Sequence, residues 1–154
     1  MKRPPKPRSP LEQREQLQLA NALDRLGVFW CHVPNGGARR RVDAAILKAS
    51  GVRKGFPDNL IFRAPKYWPP AAHLDHGGIF HPGRPPLATF RPPDGRFPFG
   101  VAVELKRQNG TRSVVKKEQV STLSALAVRG WYGFVARGCD EACDELRRLG
   151  YLIP

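Results

Sequence analysis

Residues 99–106 read FGVAVELK, and this stretch decides the fold class. Its apolar and β-branched residues predict a buried strand that ends in polar residues. Because side chains alternate along a strand, Glu104 and Lys106 point to the same side while Leu105 points into the packing. A buried strand that ends in an acid and a base predicts a functional site at that end.

A second acid stands at the start of another predicted strand, where Asp58 precedes residues 59–63. If the two strands are neighbours, Asp58 and Glu104 converge and can bind a hard divalent cation, helped by the Leu105 backbone carbonyl. With Lys106, this set has the components that phosphodiester hydrolysis needs, which are a metal, a water and an ammonium group. The alternative is structural: Asp58 caps a turn, and Glu104 and Lys106 form a solvated pair on an edge strand.

The first helix is predicted from its start and stop signals. Ser9 is a suitable N-cap, Pro10 suits the first helical position, and Glu12 stands where a capping box needs an acid. An apolar stripe that includes Leu19 continues to a glycine at position 27. Stepping back along this stripe by three and four residues places Gln16 and Glu12 on the inward face, where polar groups need a partner.

Helices and strands alternate along the remainder of the chain. The predicted elements after the first helix are a buried strand at 28–33, a short helix at 43–50, strands at 59–63 and 99–106, a helix at 117–129, a strand at 131–136 and a helix at 140–149. This order predicts an α/β fold with a mixed central sheet flanked by helices.

Two segments depart from this pattern. Residues 1–10 are basic and proline-rich, which predicts a flexible arm ahead of a single domain at 11–154. Residues 64–98 hold nine prolines and four glycines, so they are expected to form a long surface insertion without a regular core element.

Composition narrows the class of protein. The chain has 154 residues, with 26 Lys and Arg against 13 Asp and Glu, a net charge of +13 that attracts polyanions such as nucleic acid. Three cysteines are too few for a disulfide framework and indicate a reducing compartment. The sequence lacks an apolar run long enough for a membrane span, so the protein is expected to be soluble and cytoplasmic.

Several polar residues are candidate contacts to nucleic acid. They are His32, Asn35, Arg39, Arg40 and Lys54. The turn at Asn35 offers backbone N–H groups, and the arginines after it add donors for a phosphate. The alternative is that the strand histidine is a satisfied core residue and that Asn-Gly-Gly is only a tight turn.

Other chemistries find weaker support. His73, His76 and His81 could form a zinc site with Cys139 and Cys143, but the chain has no Cys-x-x-Cys pair. It also has no glycine-rich phosphate loop and no Gly-x-Ser-x-Gly motif, so ATP use and serine hydrolysis are not indicated.

The motifs, taken together and in order, resemble those of the VRR-NUC domains of the PD-(D/E)XK nuclease superfamily. They are Glu12-x-x-x-Gln16, His32-x-Pro34-Asn35-Gly36-Gly37-x-Arg39, Gly51-Val52-x-Lys54-Gly55-x-Pro57-Asp58, Glu104-x-Lys106 and Glu118-Gln119. The resemblance covers most of the chain from Glu12 onward and implies a restriction-endonuclease-like core. The step from Asp58 to Glu104, lengthened by the insertion, is longer than a compact member would have.

The resemblance assigns roles to individual residues. Asp58 and Glu104 are implied to bind the metal, Lys106 to be the catalytic cation, and Gln119 to orient water or phosphate near the metal. Glu12 is implied to help hold a metal, although its capping box is a complete local role and Glu15 could face inward instead.

The function implied is a Mg²⁺- or Mn²⁺-dependent DNA endonuclease, of phage or bacterial origin. Stand-alone members of the family suggest a homodimer that cleaves branched DNA, either a four-way (Holliday) junction or a flap, in DNA repair. The rival hypothesis is a non-catalytic DNA-binding module that retains the fold.

Overall fold

The structure, a computed structural model, describes residues 10–33, 49, 55–68, 86–106 and 115–151, without the side chains of residues 10–12. Its elements are α1 (Pro10–Leu26), β1 (Trp30–His32), β2 (Asn59–Ile61), β3 (Ala88–Phe90), β4 (Gly100–Lys106), α2 (Lys117–Val128), β5 (Trp131–Arg137) and α3 (Gly138–Arg148).

The strands form one mixed sheet in the order β1-β2-β4-β5-β3. The central strands β4 and β5 are parallel, and α2 connects them, as a parallel crossover requires. The pairs β1–β2, β2–β4 and β3–β5 are antiparallel. The predicted α/β class with a mixed central sheet is therefore confirmed.

Each face of the sheet has its own apolar layer. Val101, Val103 and Leu105 of β4 face one layer, which α1 and α3 complete with residues such as Leu19 and Leu146. The opposite face carries a smaller layer, which includes Leu60, Ala102, Leu123 and Val135. Because Leu123 belongs to α2, that helix covers this second face, and the even-numbered residues of β4 point towards it.

Most predicted boundaries agree with the structure to within two residues. The helix α1 begins at Pro10 and ends just before Gly27, as its capping signals predict. The last helix begins at Gly138, two residues earlier than predicted, and follows β5 without a loop. Gly138 has a φ of +78°, a conformation open to glycine, which lets the chain turn directly from strand into helix.

Two expectations are wrong. The segment 64–98 does contribute a regular element, since β3 pairs with β5 at the edge of the sheet. The overall proline and glycine content concealed a short β-prone run, Leu87-Ala88-Thr89-Phe90, that contains neither residue.

The strand predicted at 28–33 is also buried only in part, since Val28 is buried but most of the segment is not. Only three of its residues form β1, and Cys31 and His32 are exposed because β1 is the other edge strand.

Some expectations fall outside the described residues. They concern the arm at 1–9 and the short helix at 43–50, of which Ala49 alone is described and is helical. Within the described ranges, none of the helices has the length and apolar character to cross a membrane.

Candidate active site

The register of the sheet brings the two predicted carboxylates together. Asn59 of β2 pairs with Val103 of β4, and one step further along this antiparallel pair places Asp58 opposite Glu104. Asp58 Oδ2 accepts a hydrogen bond of 2.9 Å from the backbone N–H of Leu105. The chain ahead of β2 is thereby tied to the end of β4, and both carboxylates lie on the sheet face that α2 covers.

Glu104, Lys106 and Gln119 form a connected group of hydrogen bonds. Lys106 Nζ donates to Glu104 Oε1 at 2.9 Å and to Gln119 Oε1 at 2.8 Å. Gln119 Nε2 in turn donates to Glu104 Oε1. The side chains of Glu104 and Lys106 are only 5% and 15% exposed, so the ion pair is largely shielded from water.

Gln119 also belongs to the start of its helix. It is the third residue of α2, and its Oε1 accepts the backbone N–H of Lys116, the N-cap residue, at 3.0 Å. This contact is one half of a capping box and satisfies a donor at the helix start. The amide is therefore held by the helix and holds Lys106 and Glu104 in place.

The charge state of Glu104 reflects its surroundings. Burial, and after it the nearby Asp58 charge, raise the pKa of its carboxyl to about 7, while Lys106 acts to lower it. Two carboxylates that repel one another in a shielded place favour either a proton or a cation between them.

The donor set fits a hard divalent cation. Asp58 and Glu104 provide carboxylate oxygens, the ligands that Mg²⁺ and Mn²⁺ prefer. Groups of three or more His, Cys, Asp or Glu residues that could hold a metal do not occur among the described residues. The two carboxylates would therefore need further oxygen ligands, such as water or the Leu105 carbonyl.

His32 lies beside this group. Its Nδ1 is 2.9 Å from the carbonyl oxygen of Asp58, which also accepts the backbone N–H of Val33 at 2.7 Å. The ring is exposed on β1 and is not a core residue. This placement brings His32 next to Asp58.

Two polar residues of α1, Gln16 and Glu15, contact partners that the sequence did not identify. Gln16 and the fully buried Asn59 exchange two amide hydrogen bonds, of 2.7 and 3.1 Å. Glu15 accepts the backbone N–H of Cys139 at the start of α3, at 2.5 Å, and so caps another helix. The side chain of Glu12 is outside the described residues.

Other predicted residues are not described. Asn35, Arg39, Arg40 and Lys54 belong to this set, as do the three histidines considered for zinc. Cys139 and Cys143 are described, and their sulfur atoms lie 3.6 Å apart on α3.

Sequence reasoning missed two residues near the site. Asn59, next to Asp58, links β2 to α1, and nothing in a three-residue strand signals that a buried asparagine has a partner on a helix. Arg137 is in register with Lys106 across the parallel pair β4–β5. A signal for Arg137 was available, because the carboxyl ends of neighbouring parallel strands meet at one edge of the sheet.

A comparison with solved structures finds a similar chain, described as a "VRR_NUC domain protein". The match covers 94% of this chain and 90% of the other, with a TM-score of 0.58 and 20% sequence identity. No family model matches this sequence, and no curated protein matches it. The resemblance noted in the sequence is thus supported at the level of the fold.

Proposed function

We propose, from a fold shared with a VRR_NUC domain protein and from the group of residues around Glu104, that this chain is a metal-dependent DNA nuclease. The observation that carries the proposal is the hydrogen-bonded group of Glu104, Lys106 and Gln119 at the end of β4, with Asp58 opposite. Two carboxylates and one ammonium in a shielded place are what phosphodiester hydrolysis requires of a protein.

Asp58 and Glu104 would hold the cation. A bound Mg²⁺ or Mn²⁺ would polarise the phosphoryl group and lower the pKa of an attacking water. The N–H of Leu105 fixes one oxygen of Asp58, which orients the carboxylate towards Glu104. Glu12, through water, and the Leu105 carbonyl are proposed as further ligands.

Lys106 would act on the reacting groups. Its ammonium has three N–H donors, and two of them donate to Glu104 Oε1 and Gln119 Oε1. The remaining donor can orient the nucleophilic water or stabilise charge on the phosphate. We assign Gln119 a positioning role, because both atoms of its amide hold protein groups.

The substrate we propose is DNA with a branch, either a four-way junction or a flap. The net charge of +13 supports a polyanionic substrate. His32, exposed beside Asp58, is a suitable phosphate contact, and Asn35, Arg39, Arg40 and Lys54 are proposed to add others. A homodimer and a role in DNA repair belong to the same proposal.

A cleavage assay tests the proposal. The protein is incubated with labelled single-stranded, duplex, flap and four-way-junction DNA in Mg²⁺, in Mn²⁺ and in EDTA. We expect cleavage of the branched substrates with either metal and none in EDTA. In Asp58→Asn, we expect both cleavage and calorimetric Mn²⁺ binding to be lost, because a neutral amide is a poorer ligand for a hard cation.

The matched control is Asp94→Asn, which removes an exposed carboxylate that pairs with Arg96 outside the site. This variant should cleave and bind Mn²⁺ as the wild type does. Tight binding of all four DNAs without any cleavage would instead favour the non-catalytic DNA-binding module.

A further inference from the structure

A row of aromatic side chains crosses the sheet at the end opposite to Glu104. Phe29 directly precedes β1 and Phe62 directly follows β2, and the N–H of Phe62 donates to the carbonyl of Phe29 at 2.9 Å. Gly100 of β4 is in register with Trp131 of β5. The ring centroids of Phe29 and Phe62 are 5.3 Å apart, and those of Phe62 and Trp131 are 5.4 Å apart. We call Phe29, Phe62 and Trp131 the aromatic row.

Gly100 makes the row continuous. A Cβ atom at this position would lie 2.6 Å from the ring of Trp131, so only glycine lets that ring cross β4 towards Phe62. Phe99 flanks the row, with its ring edge-on to Trp131 at 5.6 Å.

Two of the three rings of the aromatic row are exposed, and Trp131 is half-buried. Phe29 is 75% exposed and Phe62 is 44% exposed. Single exposed aromatic residues are ordinary on a protein surface, but a connected set of rings marks a site of interaction. Rings this exposed contribute little to the core, so their burial does not explain them.

The row shares a sheet face with the proposed active site. Trp131 packs against the layer of Leu60 and Ala102, and alternation along β4 places Gly100, Ala102 and Glu104 on that same face. The helix α2 covers the face between Gly100 and Glu104, where Ala102 is fully buried in the layer that includes Leu123.

The net charge of +13 favours a polyanion as the occupant of the row. The exposed arginines Arg63 and Arg129 stand within two residues of Phe62 and Trp131. Exposed rings with basic neighbours are the combination that binds unpaired bases by stacking while cations meet the backbone.

We propose that the aromatic row is a stacking platform for an unpaired DNA strand, such as the single-stranded arm of a branched substrate. The proposal rests on the proposed function in one respect, because that function supplies the branched DNA that carries the unpaired strand. The bases then lie on Phe29, Phe62 and Trp131.

Fluorescence anisotropy in EDTA, which prevents metal-dependent cleavage, tests the platform. The probes are a labelled oligothymidylate of about 12 nucleotides, within the range of single-strand binding sites, and a duplex of equal length. We expect Phe29→Ala to weaken binding of the single strand about tenfold and to leave duplex binding unchanged. Phe29→Tyr keeps the ring and should bind as the wild type does.

The matched control is Leu17→Ala, which truncates an exposed apolar residue, 61% exposed, on α1. It should leave both affinities unchanged, and thermal melting should show that all variants are folded. Equal single-strand affinities of wild type and Phe29→Ala would overturn the platform. A wild-type dimer that Phe29→Ala splits without loss of single-strand affinity would assign the row to a contact between copies and overturn it too.

The two proposals fail separately. Ring-dependent binding of the single strand without cleavage of any DNA would remove the nuclease and leave the platform. Cleavage of DNA together with a single-strand affinity that does not depend on the rings would contradict the platform and leave the nuclease.

Discussion

Lys106 is the residue whose role is most directly testable, because its ammonium contacts Glu104 and Gln119 at once. In Lys106→Met, we expect cleavage to fall by on the order of 10²–10³, the effect of one positioned group on a transition state. Mn²⁺ affinity should be retained or should rise, because Lys106 carries the same sign of charge as the cation. A cleavage time course and calorimetry with Mn²⁺ measure the two effects.

The control for this variant is Lys117→Met, at an exposed position in the first turn of α2. It should cleave as the wild type does. Near-normal cleavage by Lys106→Met would show that the lysine serves only to neutralise Glu104.

Glu104 predicts a pH dependence of stability in the metal-free protein. Burial, then Asp58, raises its pKa from 4.5 to about 7, so the folded protein binds this proton more tightly than the unfolded chain does. The resulting stability is fully present below pH 4.5 and is lost as the pH rises through about 7. Thermal melting in EDTA should therefore show a decline in Tm over this window, and Glu104→Gln, which cannot ionise, should reduce it. Parallel curves for the two proteins would contradict the assignment.

Part of this site was predictable from the sequence, namely the part that follows from local rules of chain geometry. Alternation along a strand is a local rule, and it placed Glu104 and Lys106 on one side. The meeting of Asp58 with Glu104 depends on strand order, which the sequence left as a condition. The contacts of Gln119 depend on how α2 packs on the sheet, and no spacing rule gives that packing.

A pair of amides, Gln16 of α1 and Asn59 of β2, joins these two elements by hydrogen bonds. We expect Asn59→Ala to destabilise the protein by about 1–3 kcal/mol, because it removes the partner of a polar group on the inward face of the helix. The double variant with Gln16→Ala should be less destabilised than the sum of the singles, with a coupling of about 0.5–3 kcal/mol.

Urea unfolding of the four proteins measures this coupling. Gln18→Ala, at an exposed position of the same helix, is the control and should change stability little. Strict additivity would mean that the amide pair does not hold α1 to the strand.

The elements themselves were predictable where local signals are strong. The helix α1 has a proline at its start and a glycine at its end, and β4 is a long apolar run. At the two edge strands, which have three residues each, the sequence missed β3 and placed β1 correctly but as a buried strand. Such short strands are specified by the partners they pair with, so composition over a longer window assigns them wrongly.

The net charge of +13 predicts how the protein as a unit responds to salt. Each phosphate contact releases condensed counterions, so log affinity for duplex DNA should fall against log salt with a slope of about −0.9 per contact. We expect a slope of several units, to which the basic residues 1–10 and Arg39, Arg40 and Arg41 contribute. Anisotropy titrations between low and physiological salt give the slope, and a value near zero would exclude an interface dominated by phosphates.

The contact between Glu15 and Cys139 spans most of the chain, and it has a consequence for synthesis. The helix α1 is synthesised well before α3, the helix on which its buried Leu19 and Leu23 pack. The apolar stripe of α1 therefore stays uncovered until α3 has been made. A nascent chain in this condition is a substrate for chaperones and proteases, and its native packing has to wait until α3 is complete.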